Sequence, residues 1–465
     1  MMTRERTGGG QGLARGALRP MNVLAIAVAA ISPTTSVFLV FGAGIATAGT
    51  GVVAAFAIGA VIAIAMALCY AEVGSLFPSA GGAYTIVRRA LGPIGGGVVN
   101  VLFLVLGVVV TASILVAAAT YLQSLAPALP VNWTAFAMMA IITLLSLDRI
   151  SPTSWMTAAM LVLELAVITV FAIAAFAHPA LPGRLLVHPV VPIGSKGVLG
   201  TVGLSAVLIA VVPALFAYNG YDWPLYFAEE TTDRRALPRA VLLAVGISVL
   251  FELAAVVAAT LAIHGLAHTA QSASPLSLIA DRVMGPTGAK ILLVGVIIAM
   301  FDTGLAGNLA YARIYYASGR DEMWPLAALN RFFAHVSPRT KVPTWGFLVL
   351  FVGNGILAIF TSLNNLITFT GVIIVTIYLL VAVSALVARV RERRSSGVFR
   401  MPLWPVPAVV AIGGVVLALS QQSKGDLIIT AVIVVVGVVV TLARRGASTL
   451  GGAPVADLPM PEDHA

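Results

Sequence analysis

Only 10% of this 465-residue sequence is Asp, Glu, Lys or Arg. That is too little charge to cover a soluble protein of this length. Cysteine is present once, at Cys69, so disulfides add nothing to the fold, and the thiol reads as a small buried apolar group. No histidine falls inside a long apolar run: His178, His188, His264, His268 and His335 lie between runs and His464 in the tail. There is no His-Glu-x-x-His, no Gly-x-Ser-x-Gly and no clustered set of metal ligands. The usual zinc and serine hydrolases are thereby excluded. We expect no enzyme, no catalytic residue, no metal and no cofactor.

Apolar residues are abundant instead, at 60% of the chain, with a mean hydropathy of +1.02. Runs long enough to cross a bilayer, about 20 residues each, occupy 21–47, 51–77, 96–125, 131–147, 153–177, 199–228, 237–263, 288–312, 343–361, 365–388, 402–420 and 426–443. The first is too long and too interrupted for a signal peptide and is expected to stay in the mature protein. If the N-terminus is cytoplasmic, 22 of the 27 basic residues fall on the inside and 5 on the outside, an asymmetry that sets orientation. Both termini are therefore expected in the cytoplasm. The net charge of +9 reads as membrane orientation rather than a nucleic-acid surface. Residues 1–20 and 446–465 are polar and aperiodic and are expected to be disordered ends. The preference for Arg over Lys hints at a bacterial source, hence the inner membrane.

Two of the twelve runs are interrupted in matching places. The first carries Ser32-Pro33-Thr34-Thr35-Ser36 and the sixth Tyr218-Asn219-Gly220-Tyr221-Asp222-Trp223-Pro224. A spanning helix tolerates such residues only where freed backbone is buried in protein or lines a wet cavity. Interruptions at corresponding points of two halves point to a transporter's binding site. Runs one to five (21–177) and six to ten (199–391) then form two repeats of opposite orientation, with 402–443 outside them. After run seven, Ser274-Pro275 is expected to start a short outer helix, Ser274 as cap and Pro275 at its first position.

Tyr70-Ala71-Glu72-Val73-Gly74-Ser75-Leu76-Phe77-Pro78 with Gly81-Gly82-Ala83-Tyr84, then Asn219-Gly220-Tyr221-Asp222 leading to Glu229-Glu230 and Leu237-Pro238-Arg239, then Ala312-Arg313-Ile314-Tyr315-Tyr316-Ala317-Ser318-Gly319-Arg320-Asp321, resemble in order three motifs of the amino acid–polyamine–organocation (APC) permeases. The resemblance spans residues 21 to 443. It implies an all-α integral membrane protein of the LeuT type, a five-plus-five inverted repeat with two further helices, that carries amino acids, amines or related organic cations. One departure is Thr34-Thr35-Ser36 where many amino acid members carry Gly-x-Gly. A Ser/Thr-Pro-x-Thr version is similar to that of the family's polyamine importers.

The candidate substrate site joins the two interruptions. Backbone N–H groups after Pro33, with the hydroxyls of Ser32, Thr34, Thr35 and Ser36, suit a carboxylate; the competing reading has those hydroxyls bonding back to their own helix. Carbonyls around Ala217, Tyr218, Asn219 and Gly220 suit an ammonium group. By the resemblance, Phe216 occupies a gating position, and aromatics there also suit a cation. Trp223 and Tyr226 read as interfacial belt residues. Among the acids within runs, each a functional suspect by its cost in lipid, Asp222 and then Glu164 are the proton-coupling candidates. Glu72, Glu252 and Asp302 read equally as structural. Some proton-coupled members place a Lys in the fifth span where a sodium ion would sit; this span has none. The stripe Gly304, Gly307, Asn308 reads as helix packing, and Glu229, Glu230 and Arg234 with Arg313, Arg320 and Asp321 as candidate cytoplasmic ion pairs.

The expected function is a secondary transporter of amino acids, neutral ones by default, by proton symport or exchange. Its partners are then a small-molecule substrate, membrane lipids and a proton, with no nucleic acid. The alternative is a polyamine or amine importer for putrescine- or ethanolamine-like substrates; a transport-inactive nutrient sensor ranks below both.

Overall fold

The computed structural model describes residues 31–78, 81–147, 154–193, 198–228, 235–340, 342–391 and 399–450. Helices dominate because the runs are continuous in apolar, mostly unbranched or β-branched residues with few internal breakers, and a backbone in lipid must satisfy its own polar groups. In chain order they are α1 (Pro33–Ala48), α2 (Val52–Leu76), α3 (Ala83–Leu91), α4 (Pro93–Leu125), α5 (Val131–Leu147), α6 (Ser154–Ala177), α7 (Arg184–Val187), α8 (Leu204–Ala217), α9 (Ala236–Leu261), α10 (Leu266–Gln271), α11 (Pro275–Arg320), α12 (Ala327–Phe333), α13 (Thr344–Phe360), α14 (Leu363–Arg391), α15 (Val406–Ser420) and α16 (Lys424–Leu450). Among the described residues, seven helical stretches are long and apolar enough to cross a membrane, and α5, α8, α13 and α15 are shorter apolar helices. Large apolar side chains face outward, such as Leu144 at 68%, Leu250 at 66% and Ile291 at 71% exposure, whereas Glu164, Glu252 and Asn308 are fully buried. This inversion of the soluble pattern fits a lipid-facing surface.

α1 packs on α8, and α4 runs through the middle of the bundle against α5, α11 and α14. Close approach between helices depends on small residues. Gly107 on α4 faces the Tyr311 ring of α11, and Gly371 on α14 lies against Val212 of α8.

Several elements depart from the sequence reading. Residues 199–201 belong to a two-stranded antiparallel hairpin, β1 (Val190–Ile193) with β2 (Val198–Thr201), registered Val190 to Thr201, so α8 begins only at Leu204. Thr50 holds this hairpin to the end of α1: its Oγ1 donates to Leu185 O at 2.8 Å and accepts from Val190 N at 2.9 Å. The helix expected after Ser274 does start at Pro275, but Ser274 makes no side-chain cap bond. That short helix ends at the non-helical Gly285 (φ 71°, ψ 168°), and a second helix, counted with it in α11, runs on to Arg320, past the expected end at 312. α16 likewise continues to Leu450, into the tail expected from Gly446. Residues 1–20, Glu229, Glu230 and Arg234 lie outside the described residues.

Candidate functional site

Pro33 cannot donate a backbone hydrogen bond and disfavours right-handed helix in the residue before it. Ser32 accordingly adopts a left-handed conformation, φ 42° and ψ 80°, between the helical Ile31 and α1. Helical bonding is thereby interrupted around Ile31, and Ser36 Oγ sits 2.7 Å from its carbonyl oxygen. The second break follows from Gly220, at φ 121°, a conformation L side chains rarely adopt. α8 stops at Ala217, short turns follow, and a 3₁₀ turn resumes at Trp223–Phe227 with Pro224 in its first turn. One turn before the break, Pro213 leaves the Ile209 carbonyl without its helical partner; Gln422 Nε2 reaches that oxygen at 3.4 Å.

The two breaks meet at Ser36. Its Oγ lies 2.7 Å from Ala217 O as well as from Ile31 O, so its single proton is shared between, or alternates between, freed carbonyls of both helices. A cavity opens beside it. Thr35, Ser36, Phe216, Ala217 and Asn219 line it from the breaks, Ile31 and Leu39 from the first helix, Val110 and Ile114 from α4, Trp223 from the 3₁₀ turn and Thr303 from α11. Val110 and Ile114 share a face because they are four residues apart on a helix. Among the described residues, no charged side chain lines it.

Five of the expected substrate residues thus share one cavity, and four do not line it. Thr34 Oγ1 donates to Glu164 O at 2.6 Å. Ser32 Oγ lies 2.7 Å from both Glu164 Oε1 and Thr35 Oγ1 and accepts from the Thr35 N–H at 3.3 Å. Both hydroxyls therefore bind the first break to α6. Tyr218 turns away toward α2, its OH 3.3 Å from Phe56 O and its ring 5.7 Å from that of Phe56. Gly220 supplies backbone conformation only. The bland reading of these hydroxyls, bonding within their own segment, holds in part for Ser32 and Ser36.

Glu164 is fully buried where α6, the first break and α11 meet. Ser32 engages Oε1, and Oε2 has no hydrogen-bond partner among the described residues. Thr303 Oγ1 lies 3.0 Å from Thr35 Oγ1, which links α11 to the same cluster. Asp222 is 2% exposed and is not among the residues that line the cavity. Tyr226 OH donates to its Oδ2, and Oδ1 has no hydrogen-bond partner among the described residues. Tyr70, Tyr221 and Tyr378 pack edge-on or tilted with ring centroids 5.9–6.0 Å apart, and Asn219 Nδ2 donates to Tyr378 OH at 2.9 Å. Asn219 therefore connects the cavity to the tyrosine cluster around Asp222.

Trp223 and Tyr226 are not belt residues. They are 3% and 1% exposed, and the Trp223 ring lies 5.8 Å from that of Tyr311. Aromatic composition alone does not separate a belt from a gate. Val110, Ile114 and Thr303 carry no site signal in the sequence, since apolar helix faces that line a cavity look like those that face lipid; Thr303 stands out there only by its neighbour Asp302. Elsewhere, Glu72 pairs with Arg389 and accepts from Met401 N at 3.0 Å. Glu252 bonds Ser248 one turn back on α9. Asp321 pairs with Arg320 at 2.9 Å, while Arg313 donates to Leu309 O at 3.0 Å.

The model of a family described as amino acid permease matches residues 20–443. An uncharacterized transporter of Mycobacterium tuberculosis is 29% identical over 412 residues, covering 87% of each chain. The branched-chain amino acid permease BcaP of Bacillus subtilis is 25% identical over 405 residues, 81% of this chain and 82% of that one. The low-affinity putrescine importer PlaP of Escherichia coli is 22% identical over 386 residues, 79% of this chain and 81% of that one.

Proposed function

The chain belongs to the amino acid permease family, and from that premise we propose that it is a secondary transporter of neutral amino acids. It crosses the membrane twelve times, with both termini in the cytoplasm, and residues 21–177 and 199–391 form repeats of opposite orientation. Alternating access occurs around the two breaks. The substrate carboxylate is received at the first break by backbone N–H groups and by Thr35 and Ser36 once their hydroxyls leave Thr303 and the Ile31 and Ala217 carbonyls, and the carbonyls so freed near Ala217 receive its ammonium. Phe216 and Trp223 close over the side chain, which lies against Val110 and Ile114.

The observation that carries this reading is the uncharged lining of the cavity between the breaks. A cationic side chain desolvated there would lack a carboxylate partner, a large cost, whereas a neutral apolar one would not. Transport is driven by protons or by exchange. Glu164, with one oxygen on the first break and the other unpartnered, couples the proton to substrate more directly than Asp222, which reaches the cavity only through Tyr378 and Asn219. A second reading, import of putrescine-like amines, draws on Ser32-Pro33-Thr34-Thr35 and on the similarity to the putrescine importer. Counterflow in proteoliposomes separates the two. Uptake of labelled leucine or alanine, stimulated by internal unlabelled substrate and unaffected by putrescine, supports the neutral amino acid reading. Stimulation by putrescine alone replaces it with the second.

A further inference from the structure

One cluster of charge lies outside the substrate site. α3 buries Ala83–Val87 and Ala90 and carries Arg88 and Arg89 in its last turn. The chain reverses at Gly92 (φ 92°) into α4, and Gly96 on α4 lies against the Arg88 backbone and Cβ. The far end of α16 packs on the same stretch of α4: Gly97 faces Thr441, and Gly437 lies against the Val98 backbone. Glycines at these points let α3 and α16 approach α4 closely, which brings Arg88 and Arg444 together. Their Nη1 atoms lie 3.7 and 4.0 Å from the same sulfur, that of the buried Met323.

A thioether accepts weakly and neutralises nothing. Among the described residues, no carboxylate is within ion-pair distance of Arg88 or Arg444. The nearby Asp321 is engaged by Tyr84 OH on Oδ2 at 2.7 Å and Arg320 Nε on Oδ1 at 2.9 Å. Arg89 stacks over Phe77 at 5.6 Å. Burial and the adjacent Arg88 charge push its guanidinium below the usual value, with Asp321 opposing them. Glu322 and Asp321 act on Arg444 from a distance against Arg88 and Arg445, so positive charge is offset only in part here, at part-buried positions held by tight helix packing. Apolar surface adjoins it: Ile94 is 38% exposed at the start of α4, and Val435, Val439 and Leu442 on α16 are 59%, 57% and 49% exposed.

We propose that Arg88, Arg89 and Arg444 bind the phosphate headgroup of an anionic phospholipid in the cytoplasmic leaflet, with its acyl chains along the outer face of α16. The leaflet rests on the topology given above; the site itself rests on the cluster. Basic pockets between helices at this membrane face suit such headgroups, and guanidinium groups suit phosphate oxygens. The adjoining apolar surface favours a lipid over free phosphate.

The test is lipid retention by the purified full chain in nanodiscs of mixed phosphatidylglycerol and phosphatidylcholine, read by native mass spectrometry. Wild type should retain phosphatidylglycerol, and R88Q/R444Q should lose roughly fivefold or more of that retention, while R88K/R444K loses less than the glutamine pair and the distant R282Q keeps it. Unchanged retention in R88Q/R444Q, an equal loss in R282Q, or displacement of the lipid by inorganic phosphate would each overturn the assignment. Should the glutamine pair fail to fold, a photoactivatable phosphatidylglycerol on wild type decides it: cross-links at residues 88–94 and 439–444 support the site, and cross-links only elsewhere refute it. Labelling of Arg445→Cys in a Cys69→Ser background from outside sealed cells would overturn the cytoplasmic assignment independently of lipid retention.

Discussion

Ser36 Oγ lies 2.7 Å from the carbonyl oxygen of Ala217, so the interrupted first helix and the interrupted α8 are joined by one hydroxyl at the edge of the cavity. Ser36→Ala leaves the Ile31 and Ala217 carbonyls without it. An unsatisfied buried acceptor costs about 1–3 kcal/mol. The expected result is a rise of roughly tenfold in the substrate concentration giving half-maximal counterflow, with the fold intact by circular dichroism. An unchanged concentration would mean that the bridge does not shape the site.

Glu164 contacts the first break through Ser32, and its second oxygen has no partner among the described residues. In Glu164→Gln the side chain keeps its shape but no longer exchanges a proton. Accumulation driven by an imposed pH gradient is expected to vanish while substrate exchange at equal pH persists. Asp222→Asn should leave part of the gradient-driven accumulation. The reverse pattern would transfer the proton role to Asp222.

Glu72 is 1% exposed, and its two oxygens are held by Arg389 and the Met401 N–H. Arg389→Gln strands a buried carboxylate beside one neutral donor. The expected loss is about 3 kcal/mol, the lower end for a broken buried pair because the Arg389 side chain is 23% exposed. A lowered midpoint of thermal unfolding reads it out, and Glu72→Gln combined with Arg389→Gln should recover part of the difference.

Gly82 has φ 52°, and a Cβ there would run into the Tyr226 ring, whose hydroxyl holds Asp222. Gly82→Ala therefore strains the backbone before α3 and displaces the tyrosine at once. Transport should fall to a tenth or less, roughly, while Tyr226→Phe at normal backbone should retain more activity than Gly82→Ala. Equal rates in wild type and Gly82→Ala would remove this contact from the account.

The breaks were legible in the sequence because they are backbone chemistry. Pro33 and Gly220 impose them whatever surrounds them, and five of the flanking residues line one cavity. Ser32 and Thr34 were read as substrate groups but turn to Glu164, because a hydroxyl in a break takes the nearest buried acceptor, which one sequence does not reveal. The far walls of the cavity, Val110 and Ile114, lie in an unbroken apolar run where period and composition carry no contrast. The same lack of contrast hid where the sixth run changes from β2 to α8. Trp223 was misread because an aromatic near the end of a span has the same composition whether it faces the interface or closes a pocket.

The most direct test of the central claim is protection of a cysteine in the cavity wall. With Cys69 replaced by serine and Ile114 by cysteine, reaction with a small methanethiosulfonate reagent is followed in proteoliposomes. Saturating leucine or alanine is predicted to slow labelling at least severalfold, while putrescine has no effect. Protection by putrescine but by neither amino acid would contradict an uncharged amino acid site between the two breaks.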